Sequence, residues 1–310
     1  MVQFTDIFHA QQRIKPYLKP TPLEAAAHLG KDIWLKLENA NKTHSFKIRG
    51  ALNTILALDD AAREKGMIAA SSGNHAQGVA YAAHLVGAQA QILMPKHTPQ
   101  KKVKGVQLYG GEALLYGDNY DETEAEALRR ARVEGKTYIS PYNDAAIIAG
   151  TGTIGLEIVE SLPDVERVLV CVSGGGLISG VALAIKALRP DCTVIGVCAE
   201  SAPSMYNAFK QTKLPENWDT LAEALSGGIE EGSMTVPIVQ ESVDDIVLVS
   251  EEQIAAAMRF MLGTQGWLVE GGGCVCVAAL LHDIVPRDGK ITAAMISGGN
   301  VDLETLRQIL

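Results

Sequence analysis

The chain has 310 residues, 47% of them hydrophobic and 20% charged, enough to bury a sizeable core in one large or two medium domains. With a formal net charge of −9 the chain lacks the basic stripe that nucleic acid or an anionic membrane surface demands, and neither is expected as a partner. No uncharged apolar run approaches the ~18 residues of a membrane span, and Met1 to Asp6 lacks the pattern of a targeting peptide, so a cytoplasmic protein is expected.

In chain order, the first distinctive run is His44-Ser45-Phe46-Lys47-Ile48-Arg49-Gly50, with apolar residues at helical spacing from Ile48 to Leu58. This predicts a partly buried helix with Lys47 at its start. A lysine there lies near the positive end of the helix dipole and is costly to keep protonated, which makes it a candidate nucleophilic amine.

Next come a strand over Met67 to Ala70, the loop Ser71-Ser72-Gly73-Asn74-His75-Ala76-Gln77-Gly78, and a helix from Ala76 to Val86. Small polar residues at a helix N-terminus can hold a substrate carboxylate, and the Asn74 amide can donate to a ring oxygen. An ordinary N-cap cluster explains the same residues. His75 reads as a hydrogen-bonded structural histidine before it reads as a base. A strand over Gln91 to Met94 and a helix over Gln100 to Leu108 follow.

The strongest loop is Ser173-Gly174-Gly175-Gly176-Leu177-Ile178-Ser179-Gly180, between a strand at Val168 to Val172 and a helix at Leu177 to Leu188. Without β-carbons its amides can converge on a phosphate, and the helix N-terminus adds free N–H donors. It is not a GxGxxG fingerprint, since Ser179 stands at the last glycine position, and it lacks the Gly-Lys-Ser/Thr of a P-loop. After a strand at Val194 to Cys198, Lys213 to Thr235 is irregular and reads as a surface excursion over the site. The chain closes with a strand at Ile291 to Ile296, the loop Ser297-Gly298-Gly299-Asn300 and a helix at Asp302 to Leu310. A hydroxyl at Ser297 can pair with a heterocyclic nitrogen, whereas an acid there would keep that nitrogen protonated.

This alternation is the βαβ rhythm of a mostly parallel, doubly wound α/β sheet, and the strand-to-helix loops are where such sheets bind ligands. A TIM barrel fits less well because the segment spacing is uneven. Cysteines 171, 192, 198, 274 and 276 fall mostly in apolar strand-like runs, as buried free thiols do.

Ser-Phe-Lys-x-Arg-Gly, Ser-Ser-Gly-Asn-His, a central Gly-rich loop and a terminal Ser-Gly-Gly-Asn, in that order over essentially the whole chain, resemble the fold-type II pyridoxal-phosphate enzymes. Within them the chain is most similar to the threonine/serine dehydratase and serine racemase group. The resemblance implies two open, mostly parallel twisted sheets flanked by helices, with residues 1–65 and 144–310 as a large cofactor-binding domain. Residues 66–143 would form a small domain that closes over the substrate, and no C-terminal regulatory domain is expected. It makes Lys47 the Schiff-base lysine, Phe46 a wall beside the cofactor ring and Asn74 the partner of its 3-hydroxyl. Gly174, Gly175, Gly176 and Leu177 would cradle the phosphate, and Ser297 would face the pyridine nitrogen. Ser71, Ser72, Gly73 and His75 would lie along the substrate carboxylate, with Asn143 approaching from the far side.

The implied reaction is β-elimination from a 3-hydroxy amino acid, L-threonine or L-serine, giving a 2-oxo acid and ammonia, with Lys47 as base. Ser72 matches a serine that re-protonates the α-carbon in racemases, so the alternatives are a serine racemase, a 3-hydroxyaspartate dehydratase/racemase, or a dehydratase of compatible-solute (hydroxyectoine) breakdown. β-Replacement, a nicotinamide-dependent oxidoreductase and a non-catalytic amino-acid-binding relative are further readings. Some relatives bind a divalent cation where Glu200 stands, but Tyr206 replaces an expected aspartate, so no metal site is assigned. A homodimer or homotetramer is implied. The chain departs from the family at His44 and Ser173, usually glycine, at Thr151, usually glutamine, and around Ala222 to Gly228. These departures bear on the substrate.

Overall fold

The computed structural model describes residues 2–310 and contains two separate sheets. The strands are β1 (Leu23–Ala25), β2 (Ile33–Leu37), β3 (Met67–Ala70), β4 (Ala90–Met94), β5 (Glu112–Leu115), β6 (Thr137–Tyr138), β7 (Arg167–Cys171), β8 (Thr193–Ala199), β9 (Asp245–Val249) and β10 (Thr292–Ile296). Six of them form a sheet in the order β1-β2-β10-β7-β8-β9, parallel throughout except for the antiparallel β1–β2 pair. The other four form an all-parallel sheet, β5-β4-β3-β6.

Central strands β3, β7 and β10 are buried along their whole length, which is why each reads as an unbroken apolar run: helices cover both faces of a parallel sheet. The helices are α1 (Phe4–Ile14), α2 (Lys47–Ala57), α3 (Asp60–Lys65), α4 (Asn74–Leu85), α5 (Gln100–Leu108), α6 (Tyr120–Glu134) and α7 (Ala145–Ser161). They continue as α8 (Gly176–Leu188), α9 (Ser204–Lys210), α10 (Thr235–Ser242), α11 (Glu251–Phe260), α12 (Val275–Leu281) and α13 (Leu303–Ile309). The mostly parallel α/β architecture expected from the sequence is therefore present.

Each sheet has its own core. One gathers the six-stranded sheet with α8, α11 and α12; the other joins the four-stranded sheet to α2 and α4. Helix α2 thus packs with the smaller sheet while α7 presses on it from the other side, against α8. The result places the start of α2 between the two sheets.

Behind that start lies a buried ion cluster. Arg49 pairs through Nε and Nη2 with both oxygens of Glu38, and through Nη1 and Nη2 with both oxygens of Glu157, at 2.6–2.9 Å. Lys36 donates to Glu157 at 2.5 Å and to the Thr21 carbonyl at 2.8 Å. Two cations face two carboxylates, so the net charge is nil and every side chain has partners, the condition under which buried charge is tolerated. Among the described residues, all five cysteines are free and buried, and no helix is long and apolar enough to cross a membrane.

Candidate active site

Lys47 is the first residue of α2, and its segment is stitched to the loop after β10 by Phe46 N–H donating to the Ser297 carbonyl at 3.1 Å and by a bridge between Ser45 and Gly298. Its Nζ donates to the Pro141 carbonyl at 2.8 Å and lies 5.1 Å from the centre of the Phe46 ring. Burial lowers the ammonium from its ordinary value to about 8, against the opposing influence of Cys171 and Glu270. A reactive share of free amine therefore exists near neutral pH.

A cleft of 1310 Å³ opens beside this amine, and all three candidate loops line it. From the α4 side come Ser71, Ser72, Gly73, Asn74 and His75. Ser71 Oγ accepts from Gly73 N–H at 3.2 Å, so part of this loop is an ordinary polar turn. His75 is buried; its Nε2 meets the Ile139 carbonyl at 2.9 Å, and burial first, with the Lys47 charge, pushes it down to about 3, so the ring is neutral.

From the α8 side come Gly174, Gly175, Gly176 and Leu177. Gly175 has φ +88°, and a β-carbon at Gly174 would come within 2.7 Å of the Tyr142 ring. No side chain caps α8, so its first amides remain free to bind a ligand. Thr235 Oγ1 donates to the Gly174 carbonyl at 2.7 Å and fixes the loop from behind. Ser297, 5% exposed, lines the cleft floor next to Cys171.

Asn143 does not join this lining. Its Nδ2 donates to Glu230 at 2.8 Å and its Oδ1 accepts from Met234 N–H at 3.0 Å, so both ends of the amide hold the 226–234 segment. Glu200 is exposed beyond β8, and no group of three or more His, Cys, Asp or Glu that could hold a metal exists among the described residues. Sequence reasoning missed Glu270, which lines the cleft and accepts from Asn74 Nδ2 at 2.6 Å. Asn300, which the sequence offers in the last loop without a role, donates through Nδ2 to Asn74 Oδ1 at 2.8 Å. The one signal for Glu270 is its position between an apolar stretch and three consecutive glycines.

A model of the pyridoxal-phosphate dependent enzyme family matches residues 14–298. The chain belongs to that family. It is 43% identical to an L-threonine ammonia-lyase of Thermotoga maritima, over 100% of this chain and 78% of the relative. It is 40% identical to a catabolic L-threonine dehydratase of Escherichia coli, over 99% and 96% respectively. Among solved structures, maize serine racemase superposes with a TM-score of 0.92 at 35% identity, covering 99% of this chain and 96% of that one.

The fold is that of the fold-type II members, and pyridoxal phosphate is the cofactor. The residues present suit it. An uncapped helix N-terminus behind three glycines suits a phosphate, and a depressed lysine amine within the same cleft suits an aldehyde.

Proposed function

We propose that the protein is an ammonia-lyase that eliminates water from a 3-hydroxy amino acid, L-threonine or L-serine, to give a 2-oxo acid and ammonia. The observation that carries this reading is the Lys47 amine, lowered to about 8 and set in a cleft with a phosphate-ready loop. The names of the L-threonine ammonia-lyase and catabolic L-threonine dehydratase relatives support it.

Pyridoxal phosphate, when bound, supplies the electron sink that makes the α-proton of an amino acid removable. The amides of Gly174, Gly175, Gly176 and Leu177 would hold the phosphate, Phe46 would wall the ring, Asn74 would donate to its phenolic oxygen and the Ser297 hydroxyl would pair with its nitrogen. A hydroxyl at Ser297, unlike a carboxylate, would not hold that nitrogen protonated, a setting that would suit elimination better than transamination. Ser71, Ser72 and Gly73 bind the substrate carboxylate at the α4 N-terminus, with neutral His75 behind them. Lys47 Nζ takes the α-proton. Residues 66–143 close over the bound substrate and exclude water from it, the rest of the chain forming the cofactor-binding body. The setting we propose is a cytoplasmic homodimer or homotetramer; five buried free thiols favour a reducing compartment, and the exposed Phe8 and Tyr17 offer apolar surface for a subunit contact.

A second reading, inversion at the α-carbon, draws on Ser72, which lines the same cleft as Lys47, and on the likeness to maize serine racemase. The test is to incubate the purified yellow protein with D- and L-3-hydroxy amino acids, measuring 2-oxo acid and inverted isomer. L-Threonine or L-serine yielding 2-oxo acid is the expected result. Turnover surviving in Lys47→Ala would overturn the mechanism.

A further inference from the structure

Four segments meet at one side of the cleft through a directed chain of hydrogen bonds. The Thr43 carbonyl, just before α2, can only accept. Asn300 Nδ2 donates to it at 2.9 Å and gives its other hydrogen to Asn74 Oδ1 at 2.8 Å. That leaves Asn74 Nδ2 facing the carboxyl group of Glu270, to which it donates at 2.6 Å. A backbone carbonyl at one end and a carboxyl at the other thus set the polarity of the Asn74 amide. One N–H of Asn74 goes to Glu270; the second is left for a ligand in the cleft.

Glu270 is itself locked in place. Its N–H donates to the Gly298 carbonyl at 3.2 Å and its carbonyl accepts from Gly273 N–H at 2.9 Å. Its Oε1 lies so close over Gly298 that any β-carbon there would collide with it. Among the described residues no cation is paired with it. The charged or titratable groups that face it are Glu223 from the irregular segment, Lys102 on α5, Lys47 on α2, Cys171 on β7 and Cys274 ahead of α12.

We propose that Glu270 is a positioning residue that acts through Asn74: as a carboxylate it anchors one N–H of that amide and aims the other at the cofactor, and on taking up a proton it loosens this hold. The inference rests on the reading of Asn74 as a cofactor-binding residue. Burial raises the carboxyl to about 7, while the Asn74 bond, Lys102 and Lys47 pull it down and Glu223 pushes it up, so the change of state falls near neutral pH. Above that pH the bond is charge-assisted; below it the acceptor is a neutral acid and the bond is weaker.

The test is the dissociation of pyridoxal phosphate from the holoenzyme on dilution, measured for the wild type, Glu270→Ala, Glu270→Gln, Asn74→Ala and the double alanine variant. Glu270→Ala is expected to weaken retention about tenfold, the scale of a hydrogen bond to a charged group. Asn74→Ala should do the same, and the double variant should be no worse than the more severe single one. Glu270→Gln, whose side-chain carbonyl can still accept, should stay close to wild type below the carboxyl's titration and fall behind it above. Because Glu270 also acts on the Lys47 amine, the titration of Lys47 is followed separately in each protein by the absorbance of the bound cofactor, and the retention ratio is read against it. Should Glu270→Ala not fold, the Glu270→Gln ratio decides alone: a ratio constant across neutral pH overturns the inference. Loss in Asn74→Ala without loss in Glu270→Ala, or losses that add in full, overturns it while leaving the site reading intact. Unchanged retention in both single variants overturns the reading of Asn74 and this inference with it.

Discussion

Replacing Arg49 by methionine deletes six side-chain hydrogen bonds at once, four to carboxylate oxygens and two to the hydroxyls of Thr153 and Thr21. Methionine fills a similar volume, so the cost is electrostatic rather than a cavity. What remains is Glu38 and Glu157 facing Lys36 alone, one buried negative charge without a partner. Removing one member of a buried ion pair costs about 3–5 kcal/mol. With an unfolding entropy of roughly 2.1 cal/mol/K per residue, that is a fall in Tm of about 5–8 °C for a chain of this size.

The loss should depend on pH in a definite sense. Burial pushes the Glu157 carboxyl up, but Arg49 and Lys36 outweigh it and hold the group below its ordinary value. Such a depressed carboxyl contributes stability above its unfolded value and loses it as pH falls through the folded one. Without Arg49 the balance tips toward burial, the acid form becomes the comfortable one, and the deficit narrows as pH is lowered. Because Arg49 lies two residues beyond Lys47 on α2, the variant should also release pyridoxal phosphate more readily. Arg49→Lys should recover only part of the Tm, since one ammonium cannot serve two carboxylates bidentately. Differential scanning calorimetry of the three proteins across pH is the assay. A Tm for Arg49→Met matching wild type at neutral pH would refute the reasoning.

Gly174→Ala should retain the fold but bind cofactor poorly, because the new methyl displaces the Tyr142 ring and with it the phosphate loop; absorbance of the bound cofactor reports this. His44 has φ +55°, in the left-handed region, so His44→Gly should raise Tm slightly, by the equivalent of about 1 kcal/mol of relieved strain, while altering the KM for 3-hydroxy amino acids. For Lys47, whose ammonium is depressed from 10.5 to about 8, the neutral form is favoured on folding. Stability from this group is present above the unfolded value and lost as pH falls through about 8, so cofactor-free Lys47→Met should melt above the cofactor-free wild type near neutral pH. In wild type, the rate of recombination with pyridoxal phosphate should rise with pH up to about 8. A flat rate would show that the amine is not the group being titrated.

The parts of this fold visible in the sequence are those whose environment is uniform along the chain. Strands β3, β7 and β10 are buried on both faces, so their apolar runs and flanking Gly or Ser loops mark them directly. Strands β5 and β6 are short edge strands with half-exposed side chains and carry no such pattern. Neither does the antiparallel β1–β2 pair, whose β1 has three residues, none of them fully buried. Of the proposed site, Lys47 and the glycine loop were legible because helix starts and glycine runs are local features. Asn143 was not, since its place in Pro141-Tyr142-Asn143-Asp144 says nothing about whether its amide turns to the cleft or to the 230–234 segment that claims it.

The charged residues missed by sequence reasoning share one property: their partners are distant in sequence. Glu38 and Glu157 are 119 positions apart by residue number, yet both are held by Arg49. Glu270 meets Asn74 across 196 positions. A lone glutamate ordinarily reads as solvated surface, and only the tertiary fold turns these into enclosed groups. A trace is nevertheless present. Lys36 interrupts the strand Ile33-Trp34-Leu35-Lys36-Leu37 at a fully buried position, and Glu157 is the one charged residue among the first fifteen of a seventeen-residue helix that is otherwise apolar or small for most of its length. A charge inside such a pattern cannot be buried alone, so each predicts an opposite charge elsewhere. The pairing that satisfies them fixes where α2 begins, and with it the position from which Lys47 meets the cleft.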